Sequence, residues 1–146
     1  MDILFLDFVE NRPFAKYLLG CITEMRKFMI RHFAEAGVDL IHLGNDVGTQ
    51  RGMLMSSDMW REWFKKRMHS IVSVVKKINP EVTISYHSDG NIEKIILELI
   101  EIGVDVLDPV QPEAMDPIKL KKTYGNDLSF WGSMGGQTTI PFGTPE

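Results

Sequence analysis

His87-Ser88-Asp89-Gly90 places an imidazole and a carboxylate two residues apart. The segment directly follows the apolar run Val82-Thr83-Ile84-Ser85-Tyr86. Alternate side chains of an extended chain point the same way, so His87 and Asp89 would face one side. Such a pair can ligate a metal, or act as a base and the group that orients it. A metal needs a third donor, which this spacing does not supply. The same residues also fit a structural role, with Asp89 and Asn91 capping the following helix and His87 bonded to a neighbouring loop.

Three other apolar runs also end in polar residues. Leu40-Ile41-His42-Leu43 leads into Gly44-Asn45-Asp46; Val104-Asp105-Val106-Leu107 leads into Asp108 and Gln111; Leu128-Ser129-Phe130-Trp131 leads into Ser133 and Gln137. Asp46 can serve as a general acid/base, bind a substrate donor, or pair structurally with Arg51. We take Asp46 and His87 as catalytic candidates and His87 with Asp89 as metal ligands. Asn45, Gln50, Asp108, Gln111 and Gln137 are the substrate-binding candidates. Gly132, Gly135 and Gly136 either let backbone approach a ligand or form tight turns. His42 reads as a satisfied histidine of the core or of a barrel interior, and His69 as a surface residue of a helix.

Each exit follows a predicted buried strand, and helical patterns lie between the strands. Phe14, Tyr17, Leu18, Cys21, Ile22, Met25, Phe28, Met29, His32 and Phe33 recur at helical spacing and predict one apolar stripe on a helix over 13–35. Ser56 or Ser57 is placed to cap a second helix, which carries Trp60, Trp63 and Phe64 and stops before Pro80. Asn91 opens a third, running to about Ile102. Asp116-Pro117 opens a short fourth. The order α-β-α-β-α-β-α-β predicts an α/β fold with about four parallel strands and crossover helices. In such folds ligands bind at the carboxyl ends of strands, which would gather the four exits into one site.

Glu-x-Gly-Val-Asp occurs at 35–39 and again at 101–105, each time before a strand. Thr144-Pro145-Glu146 has the form of a helix start. Both features suggest a stretch of a longer repeating β/α protein, so we expect one incomplete domain over 1–146. The chain has 44% hydrophobic and 25% charged residues and a net charge of −4. That composition gives no support for nucleic-acid or membrane partners. Cys21 is the only cysteine, so no internal disulfide forms; with a poor signal-peptide pattern at Met1–Asp7, the cytoplasm is the expected compartment.

Several linked segments resemble the uroporphyrinogen decarboxylase superfamily. They are Asn45-Asp46-Val47-Gly48-Thr49-Gln50, Trp60-Arg61-Glu62-Trp63-Phe64, His87-Ser88-Asp89-Gly90-Asn91-Ile92, Ile102 through Pro112, and Phe130 through Pro141. The resemblance runs from about Phe14 onward and implies part of a (βα)8 barrel of the TIM type. It includes corrinoid-dependent methyltransferases, to which His87-Ser88-Asp89-Gly90 looks nearer. Asp89 stands where the zinc methyltransferases of that branch carry a cysteine. The resemblance therefore implies methyl transfer to or from a small-molecule substrate, with zinc on His87 and a corrinoid carried by a partner protein. Decarboxylation of a porphyrinogen-like acid in porphyrin biosynthesis is the alternative. A third expectation is an inactive chain that self-associates as a homodimer, because four half-barrel strands would expose apolar inward faces and open edges.

Overall fold

The structure is a computed structural model and describes residues 2–145. Glu146, the last residue of the expected helix start, lies outside them. Four strands form a parallel sheet in the order β1 (Leu40–Gly44), β4 (Thr83–His87), β5 (Val106–Asp108) and β6 (Ser129–Phe130). Two antiparallel strands of two residues each, β2 (Gly48–Thr49) and β3 (Gly52–Met53), lie between β1 and the second helical region. Sheet order follows chain order, as in a barrel wall rather than a doubly wound sheet. The fold is thus α/β, a parallel sheet with crossover helices that matches part of a TIM-type barrel.

All the crossover helices pack on one face. They are α4 (Lys66–Ile78), α5 (Ile96–Ile102) and α6 (Pro117–Tyr124); α2 (Arg12–Glu35), which precedes β1, packs beside α4. Ile41, Ile84, Tyr86 and Leu107 point into them and join Ile71, Val75, Ile96, Leu99 and Leu120 in one core. Each buried aliphatic side chain of this kind contributes about 1.5–3 kcal/mol. The intervening residues His42, Ser85, His87, Asp108 and Ser129 lie on the opposite face, the one a closed barrel would turn inward.

Local signals set the element ends. Gly37 and Gly103, the glycines of the repeated segment, have φ of +76° and +100°. Val38 N–H reaches back to Phe33 and Val104 N–H to Leu99, so both helices close by the same left-handed cap. Ser56 accepts from Met59 N–H and caps α3 (Ser57–Trp60); Asp116 accepts from Ile118 and Lys119. Between α3 and α4, Arg61–Lys65 forms a π-turn. That widened turn lets Trp60 and Trp63 both be buried. Helix α1 (Asp2–Glu10), absent from the sequence reading, stacks Phe8 on Trp63 with ring centroids 4.4 Å apart. Such a pair adds about 0.5–1.5 kcal/mol to its burial. A four-residue helix α7 (Thr139–Phe142) closes the described chain.

Two expectations need correction and a third is narrowed. The helix over 13–35 exists, but its buried side is Ala15, Leu19, Thr23, Ile30 and Ala34. Phe14, Tyr17, Met25, Phe28, Met29 and Phe33 are exposed. The small residues allow α2 to lie close against α4, so the bulkier stripe faces away. For His42 the barrel-interior alternative holds and the core one does not: it lies on the inward face, bonded to Ser85 Oγ. That inward face is largely polar; exposed apolar side chains lie on α1 and α2 and, beyond β6, at Trp131, Met134, Ile140 and Phe142.

Glu98, on α5, is a buried carboxylate held by the π-turn. Arg61 Nε donates to its Oε1 at 2.7 Å, and Lys65 Nζ lies 3.2 Å from Oε2, paired in charge but without good hydrogen-bond alignment. Burial alone would push this carboxyl up; the Arg61 and Lys65 contacts outweigh it and hold it below the ordinary value of 4.5. A depressed carboxyl stabilises the fold above its unfolded pKa, and that stabilisation is lost as pH falls through the folded pKa. Urea midpoints measured from neutral pH down to about pH 3 should therefore fall more steeply for the native chain than for Glu98→Gln. Parallel curves would count against this cluster as the source of acid sensitivity.

Candidate functional site

The site is built on sheet register. Gly44, His87 and Asp108 stand opposite one another on β1, β4 and β5. Neighbouring strands are about 4.8 Å apart, so the His87 ring and the Asp108 carboxylate must meet. His87 Nδ1 lies 2.8 Å from Asp108 Oδ2. An acceptor there places the proton of a neutral ring on Nδ1 and leaves the Nε2 lone pair free. Nε2 faces Asp46 Oδ1 at 3.6 Å and Asp89 Oδ1 at 3.9 Å. Each of Asp46, His87 and Asp89 offers a donor atom within 4.8 Å of the others. His42, His87 and Asp108 form a second such set on the same face. One imidazole thus meets three carboxylates at the carboxyl ends of three strands.

Loop packing fixes the two outer carboxylates. Asp46 Oδ1 accepts from the Asp89 N–H at 3.0 Å, so Asp46 turns to this loop and not to Arg51. Ser88, fully buried, accepts from Val47 N–H and ties the same two loops together. Gly48 and Gly90 make the approach possible. A Cβ on Gly90 would sit 2.6 Å from the backbone of Gly48 and Thr49, and its φ is +79°. Gln111 Oε1 accepts from Gly90 N–H and braces the loop from the β5 side. Asn91 is not the helix cap expected of it: the segment opens at Ile92 without a side-chain cap, and Asn91 instead accepts from Glu93 N–H in a tight turn and donates to Ala114 O.

The remaining candidates are more dispersed. Asn45 is exposed; its carbonyl accepts from Tyr86 Oη at 3.0 Å and its Oδ1 lies 3.4 Å from Arg26. Burial, followed by the charge of Asp46, pushes the Tyr86 hydroxyl up, so it stays a donor. Gln50 lies at the exposed tip of the β2–β3 hairpin. Gln137 is exposed and its N–H donates to Glu113 Oε1, which also accepts from Thr138 Oγ1 at 2.7 Å. These contacts, Thr138 first, hold the Glu113 carboxyl below its ordinary value. Glu113 and Ser88 were not identified from the sequence. Ser88 sits between two prominent candidates, and only its burial reveals that it locks the loops.

The sequence model of the family described as Uroporphyrinogen decarboxylase (URO-D) matches residues 4–146. The chain belongs to the uroporphyrinogen decarboxylase family. No curated protein and no solved structure gives a match. The family match spans all four strand exits, so the carboxylate cluster lies inside the uroporphyrinogen decarboxylase-like region and not on an appended segment. Among the described residues, no helix is long and apolar enough to cross a membrane.

The Gly48–Gly90 contact gives a direct test of how the site is held. Gly90→Ala must push the loops apart and adopt a positive φ, at a cost of about 3 kcal/mol or more. Gly37→Ala meets open space and carries only the conformational penalty, about 1 kcal/mol. Denaturant unfolding of both variants measures this. Equal losses would show that the loop contact is not tight.

Proposed function

We propose that this chain contributes the metal-holding part of a methyltransferase-type active site. The observation that supports it is the orientation of His87, with Nδ1 engaged by Asp108 and Nε2 directed at Asp46 and Asp89. A carboxylate on the far nitrogen is the usual way a ligating histidine is oriented. The donor set, one imidazole nitrogen and carboxylate oxygens, fits zinc or another borderline divalent cation, and it lacks the thiolate of a soft site. Bound there, a cation would act as a Lewis acid on the substrate's nucleophilic group. His87, Asp46 and Asp89 would hold it, and Asp108 would position His87. Asp46, when not ligating, is also placed to accept a proton from a substrate hydroxyl, amine or thiol. Asn45, Gln111 and Gln137 border the approach. A methyl donor, either a small molecule or a corrinoid on a partner protein, would enter over the open inward face. We place this chemistry in the cytoplasm.

Decarboxylation is the second reading, favoured by the family description. Charge weighs against it. Among the described residues no lysine or arginine lies within 4 Å of Asp46, Asp89 or Asp108; their partner there is the His87 ring. A polycarboxylate would meet like charge there unless a cation intervened, and like charges in close contact are costly.

Calorimetric titration with Zn²⁺ and Co²⁺ tests the proposal. One site is expected, lost in His87→Ala and retained in His69→Ala. Asp108→Ala should weaken it about 10–100-fold, the range for orienting partners. Unchanged affinity in His87→Ala would overturn the metal reading, and conversion of uroporphyrinogen to coproporphyrinogen would favour the decarboxylase.

We also propose a homodimer. Its support is the exposed Tyr17, Met25 and Phe28 on α2 and the unpaired outer edges of β1 and β6. Light scattering at micromolar concentration should give twice the 16.7 kDa chain mass. A stable monomer would rule it out.

A further inference from the structure

Helix α2 carries a row of side chains that is symmetric about Cys21. Phe14 and Phe28 stand seven residues to either side of it, Tyr17 and Met25 four. At about 100° per residue the five share one face, opposite the buried Leu19, Thr23 and Ile30. The four large side chains are from 47% to 73% exposed, and Cys21 is exposed as well. An apolar row of this kind, about 21 Å long at the helical rise, marks an interaction surface.

The symmetry of the row points to its occupant. A two-fold contact uses one patch twice, so that patch must match itself when reversed. An axis through Cys21, perpendicular to α2, sets Tyr17 against Met25 of the partner subunit and Phe14 against Phe28 of the partner subunit. Cys21 meets the partner's Cys21, where a small side chain lets two helices approach closely. The flanks of the row select the antiparallel arrangement. One flank carries Lys16 and Glu24, the other Leu18 and Ile22. In an antiparallel pair each flank faces its own copy. Glu24 then comes beside the partner's Lys16, and Leu18 beside the partner's Ile22. Glu24 already bonds Lys27 of its own helix through Oε1, which leaves Oε2 for this contact. A parallel pair would press Lys16 and Glu24 against the apolar flank and set two helix dipoles side by side in the same sense.

We propose that the chain dimerises through α2, packed antiparallel on the same helix of a second copy with Cys21 at the two-fold axis. This rests on the homodimer proposed above and assigns its interface; the edges of β1 and β6 take no part in it. It does not depend on the metal site or on the methyl-transfer reading.

Cys21 is the only cysteine, so a short bismaleimide linker joins two copies of the whole chain only through it. Cross-linking at micromolar concentration is expected in the native chain and lost in Cys21→Ser. In the Cys21→Ser background, Tyr17→Cys mixed with Met25→Cys should link, and either alone far less. Ile118→Cys, on the exposed face of α6, should not link. Met25→Glu should weaken the dimer about tenfold or more by light scattering, and Ile118→Glu should leave it unchanged. A dimer that resists Met25→Glu and does not link through Cys21 overturns this interface and leaves the homodimer standing. A monomer overturns both, and a monomer that binds anionic lipid vesicles gives the face to a membrane surface instead. If Met25→Glu fails to fold, the cross-linking pattern of the cysteine variants still decides it.

Discussion

In a parallel sheet, residues in register on adjacent strands stand one strand spacing apart and point to the same side. Gly44, His87 and Asp108 form such a row. Most of the candidate site depends on it. Because β4 and β5 pair with His87 opposite Asp108, the imidazole gains a fixed acceptor on Nδ1. Because the residue opposite His87 on β1 is glycine, the ring's neighbour on that strand is His42, with ring centroids 5.8 Å apart. The loop beyond Gly44 can then carry Asp46 around to Nε2. A one-residue slip of β5 would put Asp108 on the helix side and Leu107 against the ring. The helix-side core of Ile84, Tyr86 and Leu107 opposes that slip, since it would push Leu107 into the open face. Packing on one face of the sheet thus holds the chemistry on the other.

The loops add a second constraint. Strand ends alone would leave Asp46 and Asp89 free to splay. The contact of Gly48 with Gly90, the buried Ser88 hydroxyl and the Gln111 brace bring the two loops into one body. Two acidic residues near one another repel, and here backbone geometry keeps them together. The Asp89 N–H donated to Asp46 offsets part of that repulsion. A bound cation would offset the rest.

Much of this was legible in the sequence because it is local. The alternation of strand and helix, the polar exits, the two left-handed glycine caps, and the Ser56 and Asp116 caps all follow from short spacings. What was not legible depends on register or on competition between faces. Asp108 was assigned to substrate; its pairing with His87 requires knowing which strand lies beside which. Gln111 likewise bonds Gly90 across a loop boundary. The buried side of α2 was misjudged because hydrophobicity ranks Phe28 above Ala34, whereas close helix packing favours the smaller residue. Helix α1 was missed because its short apolar run was weighed only as a targeting signal.

The segment Gly44–Val47 connects the two faces of the wall. Asp46 reaches the His87 side, whereas Gly44, Asn45 and Val47 line a cavity behind the sheet. Arg26 contacts Gly44 and Asn45 from that side, and Tyr86 grips the Asn45 carbonyl. Tyr86 and His87 are adjacent on one strand and therefore point in opposite directions, one into each environment. The sign of charge reverses across this wall. The inward face gathers Asp46, Asp89 and Asp108; the helix side presents Arg26 and Arg67. Asp46 and Asp89 are half exposed, so solvent screens much of the field between the two sets.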